Sequence, residues 1–229
     1  MTSQRSDSNF GSPKSCLSGT ELSGTEVSGT EAIATLQDGL KEWAIAVSAL
    51  LQGETILLLR KGGIREPNGQ FNLPQRRVLL YPTYEHQKPE LLKPQFQAQL
   101  QYPVEPVPSG WHPATVPIAA WANITQVAEV SEPAQVEALL PWHIWTADFA
   151  TTRLRWKPRS PLSLLFLRVY RLPEVISLPY HESYGGCRSW LTLQRAIAIA
   201  PAQPVLTDAL YQQRVEQIWQ CINLNAPGG

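Results

Sequence analysis

The stretch DGLKEWAIAVSALLQGETILLLRK, residues 38–61, sets the reading of the fold. Leu40, Trp43, Val47, Leu50 and Leu51 recur at helical spacing, Asp38 can cap the first turn and Gly53 can stop the last. An amphipathic helix docked on a core is expected there. The ETILLLRK that follows is almost uninterruptedly aliphatic, the pattern of a strand covered on both faces. Pro67-Asn68-Gly69 then supplies turn chemistry, because proline presets φ and Asn-Gly accepts positive φ. The flanking QFNL and RRVLLY read as short strands, so the unit is a helix followed by three strands.

Outward from this unit, YEHQKPELLKPQFQAQL at 84–100 reads as one or two short helices broken at Pro94, and the prolines between Tyr102 and Pro117 make a stiff extended loop. PIAAWANITQVAEV resumes as strand. Ser131 before Glu132-Pro133 starts one helix and Thr146 another. PLSLLFLRVYRL is the strongest strand signal in the chain, with VISLPY and CRSWLTL as the next two strands. A closing helix at about 207–222 presents Leu210, Val215, Ile218 and Ile222 on one side. Strands and helices come in runs rather than in strict alternation, which favours an α+β fold with a mixed, mainly antiparallel sheet and flanking helices.

Residues 18–32 repeat a five-residue unit, SGTEL-SGTEV-SGTEA, whose period fits neither helix nor strand. Its polar content cannot bury enough surface to offset ordering entropy, so residues 1–35 are expected to be a disordered tail ahead of one domain over 36–229. The apolar fraction of 43% in 229 residues is ample for one core. The longest apolar run, LSLLFL at 162–167, is far short of the roughly 20 residues of a membrane span. MTSQRSDSNFGSPKSC at the start lacks a secretory pattern, and Cys16, Cys187 and Cys221 are too scattered for a disulfide framework. A reduced, cytoplasmic protein with no membrane contact is the expectation.

Formal net charge is zero, so no global field draws the protein onto an anionic polymer. Local segments differ. Arg153, Arg155, Lys157, Arg159, Arg168 and Arg171 fall between Asp148 and Glu174 with no intervening acid. Either they border a core of Trp and Leu or they track phosphates between stacking rings, for which Trp111, Trp121, Trp142, Trp145, Trp156 and Trp190 with Tyr81, Tyr84, Tyr180 and Tyr184 are the candidates.

The chemistry can be narrowed by elimination. RKGG at 60–63 runs on into turn and strand rather than into a helix, which excludes a Walker loop, and no G-x-G-x-x-G occurs. Gly62 and Gly63 are left as a backbone nest for an anion, with Arg60, Lys61 and Arg65 supplying charge, or else as a simple turn out of a strand. His86, His112, His143 and His181 show no metal-ligand spacing, so no metal and no cofactor are expected. Cys187 beside Arg188 is the one candidate nucleophile, although C-R-S-W-L-T-L alternates as a strand and places that thiol with Leu191 and Leu193.

Three blocks taken together, 40–64, LLYPTYEHQ at 79–87 and YGGCRSWLTL at 184–193, resemble the DUF1802 family, frequent in cyanobacteria, over about residues 38–195. The resemblance marks Arg60, Lys61, Gly62, Gly63, Tyr81, Pro82, Thr83, His86, Gln87, Tyr184, Gly186, Cys187, Ser189 and Trp190 as characteristic positions. It also implies an association with restriction-endonuclease-type domains and so with restriction and modification. The expected function is a non-catalytic module for nucleic acid or a nucleotide-like anion, bound through Arg60, Lys61, Gly62, Gly63, Arg65, Tyr81, Thr83, His86, Gln87, Tyr184, Arg188 and Trp190. Two alternatives stand beside it. One is a hydrolase-type enzyme with His86 as acid or base and Cys187 as nucleophile; the other is an interaction subunit that docks a nuclease.

Overall fold

The computed structural model describes residues 34–61, 73–85, 87–100, 110–156, 158, 160–186 and 188–226. The tail over 1–33, the turn at 67–69 and the proline-rich stretch 101–109 lie outside the described residues. In chain order the elements are β1 (Thr35–Trp43), α1 (Ala44–Leu51), β2 (Leu57–Arg60), β3 (Arg77–Thr83), α2 (Pro94–Gln97), β4 (Thr115–Val130), α3 (Pro133–Ala138), α4 (Ala147–Arg155), β5 (Leu162–Pro179), β6 (Trp190–Ala198), β7 (Gln203–Pro204) and α5 (Asp208–Leu224). One-turn 3₁₀ segments sit at Pro89–Leu91, Leu140–Trp142 and Glu182–Tyr184.

The strands form one sheet in the order β2-β5-β4-β3-β1-β6, with β7 added on β5. β1 and β3 run parallel; the other pairings are antiparallel. The fold is α+β with a mixed, mainly antiparallel sheet. No helix among the described residues is long and apolar enough to cross a membrane.

The helix expected from Asp38 is overturned in its first half. Residues Thr35–Trp43 are a strand between β3 and β6, and only Ala44–Leu51 is helical. Leu40 and Val47 satisfy a helical period by coincidence, one inside the strand and the other inside the helix. Gly39 lies close to β6: a Cβ there would sit 2.9 Å from Leu191 Cδ1, so a larger residue would have to displace that side chain. α1 is not amphipathic either. It buries Ile45, Ala46, Val47, Ala49 and Leu50, so nearly its whole circumference is wrapped by the core. Its end agrees with the sequence. Gly53 takes φ +70°, Gly53 N–H donates to Leu50 O at 3.1 Å and Glu54 N–H to Ala49 O at 2.9 Å, which is a Schellman motif.

The VISLPY strand is continuous with PLSLLFLRVYRL as β5. Register slips between the Ala120–Arg171 and Ile118–Ile176 pairs, and Pro173 falls in that irregular stretch, where its missing N–H costs no ladder bond. α3 begins one residue later than expected, with Glu132 as N-cap in a reciprocal capping box with Gln135. Thr146 caps α4 by accepting from Phe149 N–H. α5 buries Val215, Ile218 and Ile222 as the sequence suggests, but its first turn buries Tyr211 and leaves Leu210 exposed.

Two cores result. The larger gathers Leu40, α1, Leu57–Leu59, Val78, Leu80, the β4–β5 centre and α5; the smaller gathers Leu79, Tyr81, Val116, Ile118, Leu172, Leu178, Tyr184, Leu191 and Leu193. β3 is therefore buried on both faces. A side-chain bridge also spans strands that do not pair. Arg60, at the end of β2, pairs with Glu42 of β1 at 2.8 Å and donates to Lys41 O at 2.7 Å, although these strands lie far apart in the sheet order. Lys61 follows with 1% exposure and donates to Leu154 O at 2.6 Å and to Ser160 O, which ties the same corner to α4.

Candidate binding cleft

β1 alternates its side chains, so Leu40 and Glu42 face the larger core while Lys41 points to the other side. There Lys41 Nζ donates to Tyr184 O at 2.7 Å and to Gly186 O at 2.9 Å, and Lys41 N–H donates to Ser189 O at 2.8 Å. These bonds hold Tyr184, Gly186 and Ser189 against β1. Thr83 joins the same corner by donating its hydroxyl to Glu42 O at 3.0 Å, and Gln87 Oε1 accepts from Ile45 N–H at 3.1 Å. The three sequence blocks thus meet in space.

Their meeting leaves a cleft of about 130 Å³ walled by Tyr81, Tyr84, Trp111, His112, Tyr180 and Tyr184 and completed by Lys41, Thr83, Glu85 and the glycines 110, 185 and 186. The rings interlock. Tyr184 meets Tyr81 edge-on at 5.8 Å and Tyr180 edge-on at 6.2 Å, His112 lies flat on Tyr180, and Tyr84 meets Trp111 edge-on at 6.3 Å. Burial, reinforced by the phenols of Tyr180, Tyr184 and Tyr84, pushes the Tyr81 hydroxyl above its usual range, so it remains a neutral donor at any physiological pH. Tyr184 is fixed by its hydroxyl, which accepts from Gln194 N–H at 2.9 Å. On the rim, Gly110 at φ +83° donates its N–H to Glu85 Oε1 at 2.6 Å. Gly185 allows close approach, since a Cβ there would stand 2.8 Å from Tyr180 Oη. A second, mostly apolar cavity of about 250 Å³ lies next to the cleft and shares Pro82 and Tyr84 with it.

Of the residues singled out from sequence, Tyr81, Thr83 and Tyr184 line the cleft, and Gln87 lines the adjoining cavity. Arg188 is exposed beside it, with its backbone N–H on Gly186 O. Arg60, Lys61 and Trp190 belong to the opposite side of β1. Lys61 has no exposed head left for an anion to meet, and burial followed by the nearby Arg153 charge holds its pKa below the ordinary lysine value. Gly62, Gly63, Arg65, His86 and Cys187 lie outside the described residues. Lys41, Glu85 and the glycine at 110 were missed as site residues. Lys41 was hidden by the helical reading of 38–43, and the rest become recognisable only when loops meet. Among the described residues no three His, Cys, Asp or Glu side chains are placed to hold a metal ion.

Residues 39–217 match the model of the family described as a domain of unknown function, DUF1802. The chain belongs to the DUF1802 family. The match runs past the three blocks and ends at residue 217, inside α5. No curated protein matches the chain. Among solved structures the DUF1802 chain is similar to the ZmASCH S128A mutant protein from Zymomonas mobilis, at 11% identity and a TM-score of 0.33 over 78% of this chain and 94% of that one.

Proposed function

We propose that this DUF1802 protein is a non-catalytic module that binds single-stranded nucleic acid or a nucleotide by taking one base into the aromatic cleft. The observation that carries the reading is the convergence of Tyr81, Tyr84, Trp111, Tyr180 and Tyr184 on one opening beside Lys41. Flat rings set edge to face leave slots for another flat ring, and every base has a π-face. The cleft is smaller than the ~300–1,000 Å³ of pockets for drug-sized ligands, which suits a single ring system rather than a large cofactor. Tyr81 as a permanent donor and Glu85 and the rim backbone as polar edges suit hydrogen bonding to the edge of a base. With zero net charge, affinity rests on stacking, and exposed Arg188 adds a local phosphate contact. A module of this kind fits the restriction systems that the family resemblance implies, holding nucleic acid while a separate chain cuts.

The test is a tryptophan-fluorescence titration with short single-stranded DNA and RNA and with duplex controls at low salt. Single strands are expected to quench and duplexes to bind more weakly, with affinity declining as salt is added. Trp111→Ala is expected to weaken binding by about ten-fold or more, since stacking is worth ~1–3 kcal/mol per base. No association with any single strand at low salt overturns the reading.

A further inference from the structure

Ala44, Val47, Ser48 and Leu51 recur at i, i+3, i+4 and i+7 along α1, which puts them on one face of the helix. That face borders the apolar cavity of about 250 Å³ beside the aromatic cleft. Its other walls include Leu100, which follows α2, and Pro117 and Ala119, two residues apart on one face of β4. Ala44, Ser48 and Ala119 have the shortest side chains of this lining, and their shortness leaves the space unfilled. Val175 of β5 lines the cavity and is still 63% exposed, so it marks the mouth.

No charged side chain lines this cavity among the described residues. Its polar groups are few and mostly engaged. Ser48 Oγ accepts from Gln52 Nε2 at 3.0 Å, and Gln99 Nε2 donates to Glu54 Oε1 at 3.4 Å. Gln87 differs. Its Oε1 accepts from Ile45 N–H at 3.1 Å, which fixes the end of the amide that carries hydrogens, and its NH₂ keeps no partner among the described residues. Gln87 is only half-buried, so this donor stays accessible at the cavity wall. An apolar chamber with one oriented donor divides the work of a small-molecule site: apolar contact supplies affinity and the polar group fixes orientation. A charged ligand would lose its water here with no opposite charge to meet it. A cavity of ~150 Å³ with aliphatic and aromatic walls already holds a benzene ring, so the larger space here suits one ring with a substituent.

We propose that this cavity is a binding site for a small uncharged molecule, about one apolar ring in size, that carries one carbonyl-type acceptor. The acceptor takes the Gln87 NH₂, and the apolar part packs against the α1 stripe, Leu100 and Pro117. The site does not depend on the base-binding reading, since Pro82 and Tyr84 are the walls the two cavities share. The cleft presents Lys41 and Glu85, whereas this cavity presents no charge, so the two select different chemistry.

The experiment is a titration of the full chain with acetanilide, a neutral ring with one amide carbonyl, and with benzoate as its charged counterpart, read by melting temperature and by methyl NMR. Acetanilide is expected to raise the melting temperature saturably and to shift the methyl resonances of Val47, Leu51 and Val175, and benzoate to do neither. Gln87→Glu keeps the acceptor for Ile45 N–H and removes the donor to the ligand, so it is expected to weaken acetanilide binding by about ten-fold, the effect of one hydrogen bond. Ala119→Leu fills the cavity and is expected to abolish binding. Should Ala119→Leu fail to fold, Ser48→Leu decides, because it fills the same space from a helix position that leucine suits. No binding of acetanilide, equal binding of benzoate, or undiminished affinity in Gln87→Glu or in the filled variant overturns the site. Shifts confined to Val116, which lines the aromatic cleft, would move the ligand there and overturn it too. Failure of oligonucleotides to bind leaves the acetanilide result intact and removes only the base-binding reading.

Discussion

The Arg60 guanidinium lies 2.8 Å from the Glu42 carboxylate, and this pair joins the β2 end of the sheet to β1 near its other end. Glu42 is 9% exposed and Arg60 16%, so removing one partner strands a charge that water reaches poorly. Glu42→Ala is expected to destabilise the fold by about 3 kcal/mol, the low end for breaking a buried pair because Arg60 retains some solvent. A double replacement, Glu42→Leu with Arg60→Met, is expected to cost less than Glu42→Ala alone. Chemical denaturation of the three proteins checks the order.

His143 sets the acid response. It is buried, and its Nδ1 accepts from Trp145 N–H at 3.2 Å, which leaves Nε2 as the protonated nitrogen of a neutral ring with no partner. Burial, then the neighbouring Lys93 charge, pushes its pKa down to about 3. The unfolded chain binds a proton at this residue from about pH 6.5 downward, and the folded chain does not until about pH 3. The stabilising contribution is therefore complete above pH 6.5 and is lost as pH falls through that window, by at most about 1.4 kcal/mol per pH unit. His143→Asn preserves an acceptor for Trp145 N–H. Melting curves between pH 7 and pH 4 are expected to decline less steeply for the variant than for the wild type.

Tyr184 links the cleft to the smaller core. Its ring is 1% exposed, and its hydroxyl accepts from Gln194 N–H. Tyr184→Phe keeps the ring contacts and leaves that N–H without an acceptor, at a cost of about 1–3 kcal/mol. Amide exchange at Gln194 is expected to accelerate in the variant. Unchanged stability and exchange would show that the hydroxyl is not holding β6.

Gly53 takes φ +70°, and a Cβ there would stand 2.7 Å from Leu206 Cδ2. Gly53→Ala combines backbone strain of about 1–2 kcal/mol with displacement of Leu206. Thermal denaturation is expected to show a fall of this order or somewhat more. The neighbouring exposed Gln52→Ala, as a control, is expected to change little.

Signals that act over a few residues were legible without coordinates. The Schellman stop at Gly53, the Thr146 cap, the paired short helical turns around Pro89 and Pro94, and the β4 and β5 strands all follow from local φ preferences, hydrogen-bond competition and apolar density. The α+β class and the three characteristic blocks were legible for the same reason. The reading failed at residues 38–43, where apolar spacing suited a helix but β3 and β6 supplied ladder partners on both sides. It failed again at Leu210, because the face that α5 buries is chosen by the core it caps and not by its own composition.

The amino-acid sequence by itself determined where the chain turns, which runs are apolar enough to be buried, and which family the chain resembles. Tertiary structure alone decided which charges are spent on the fold and which rings share a cleft. Lys61 looks like an anion ligand beside Arg60 until packing against α4 buries it and takes its ammonium onto Leu154 O. Lys41 looks unremarkable until a strand, and not a helix, turns it toward Tyr184. Both outcomes depend on contacts across nearly a hundred residues or more, and the side-chain preferences of a short segment carry no information about partners so distant.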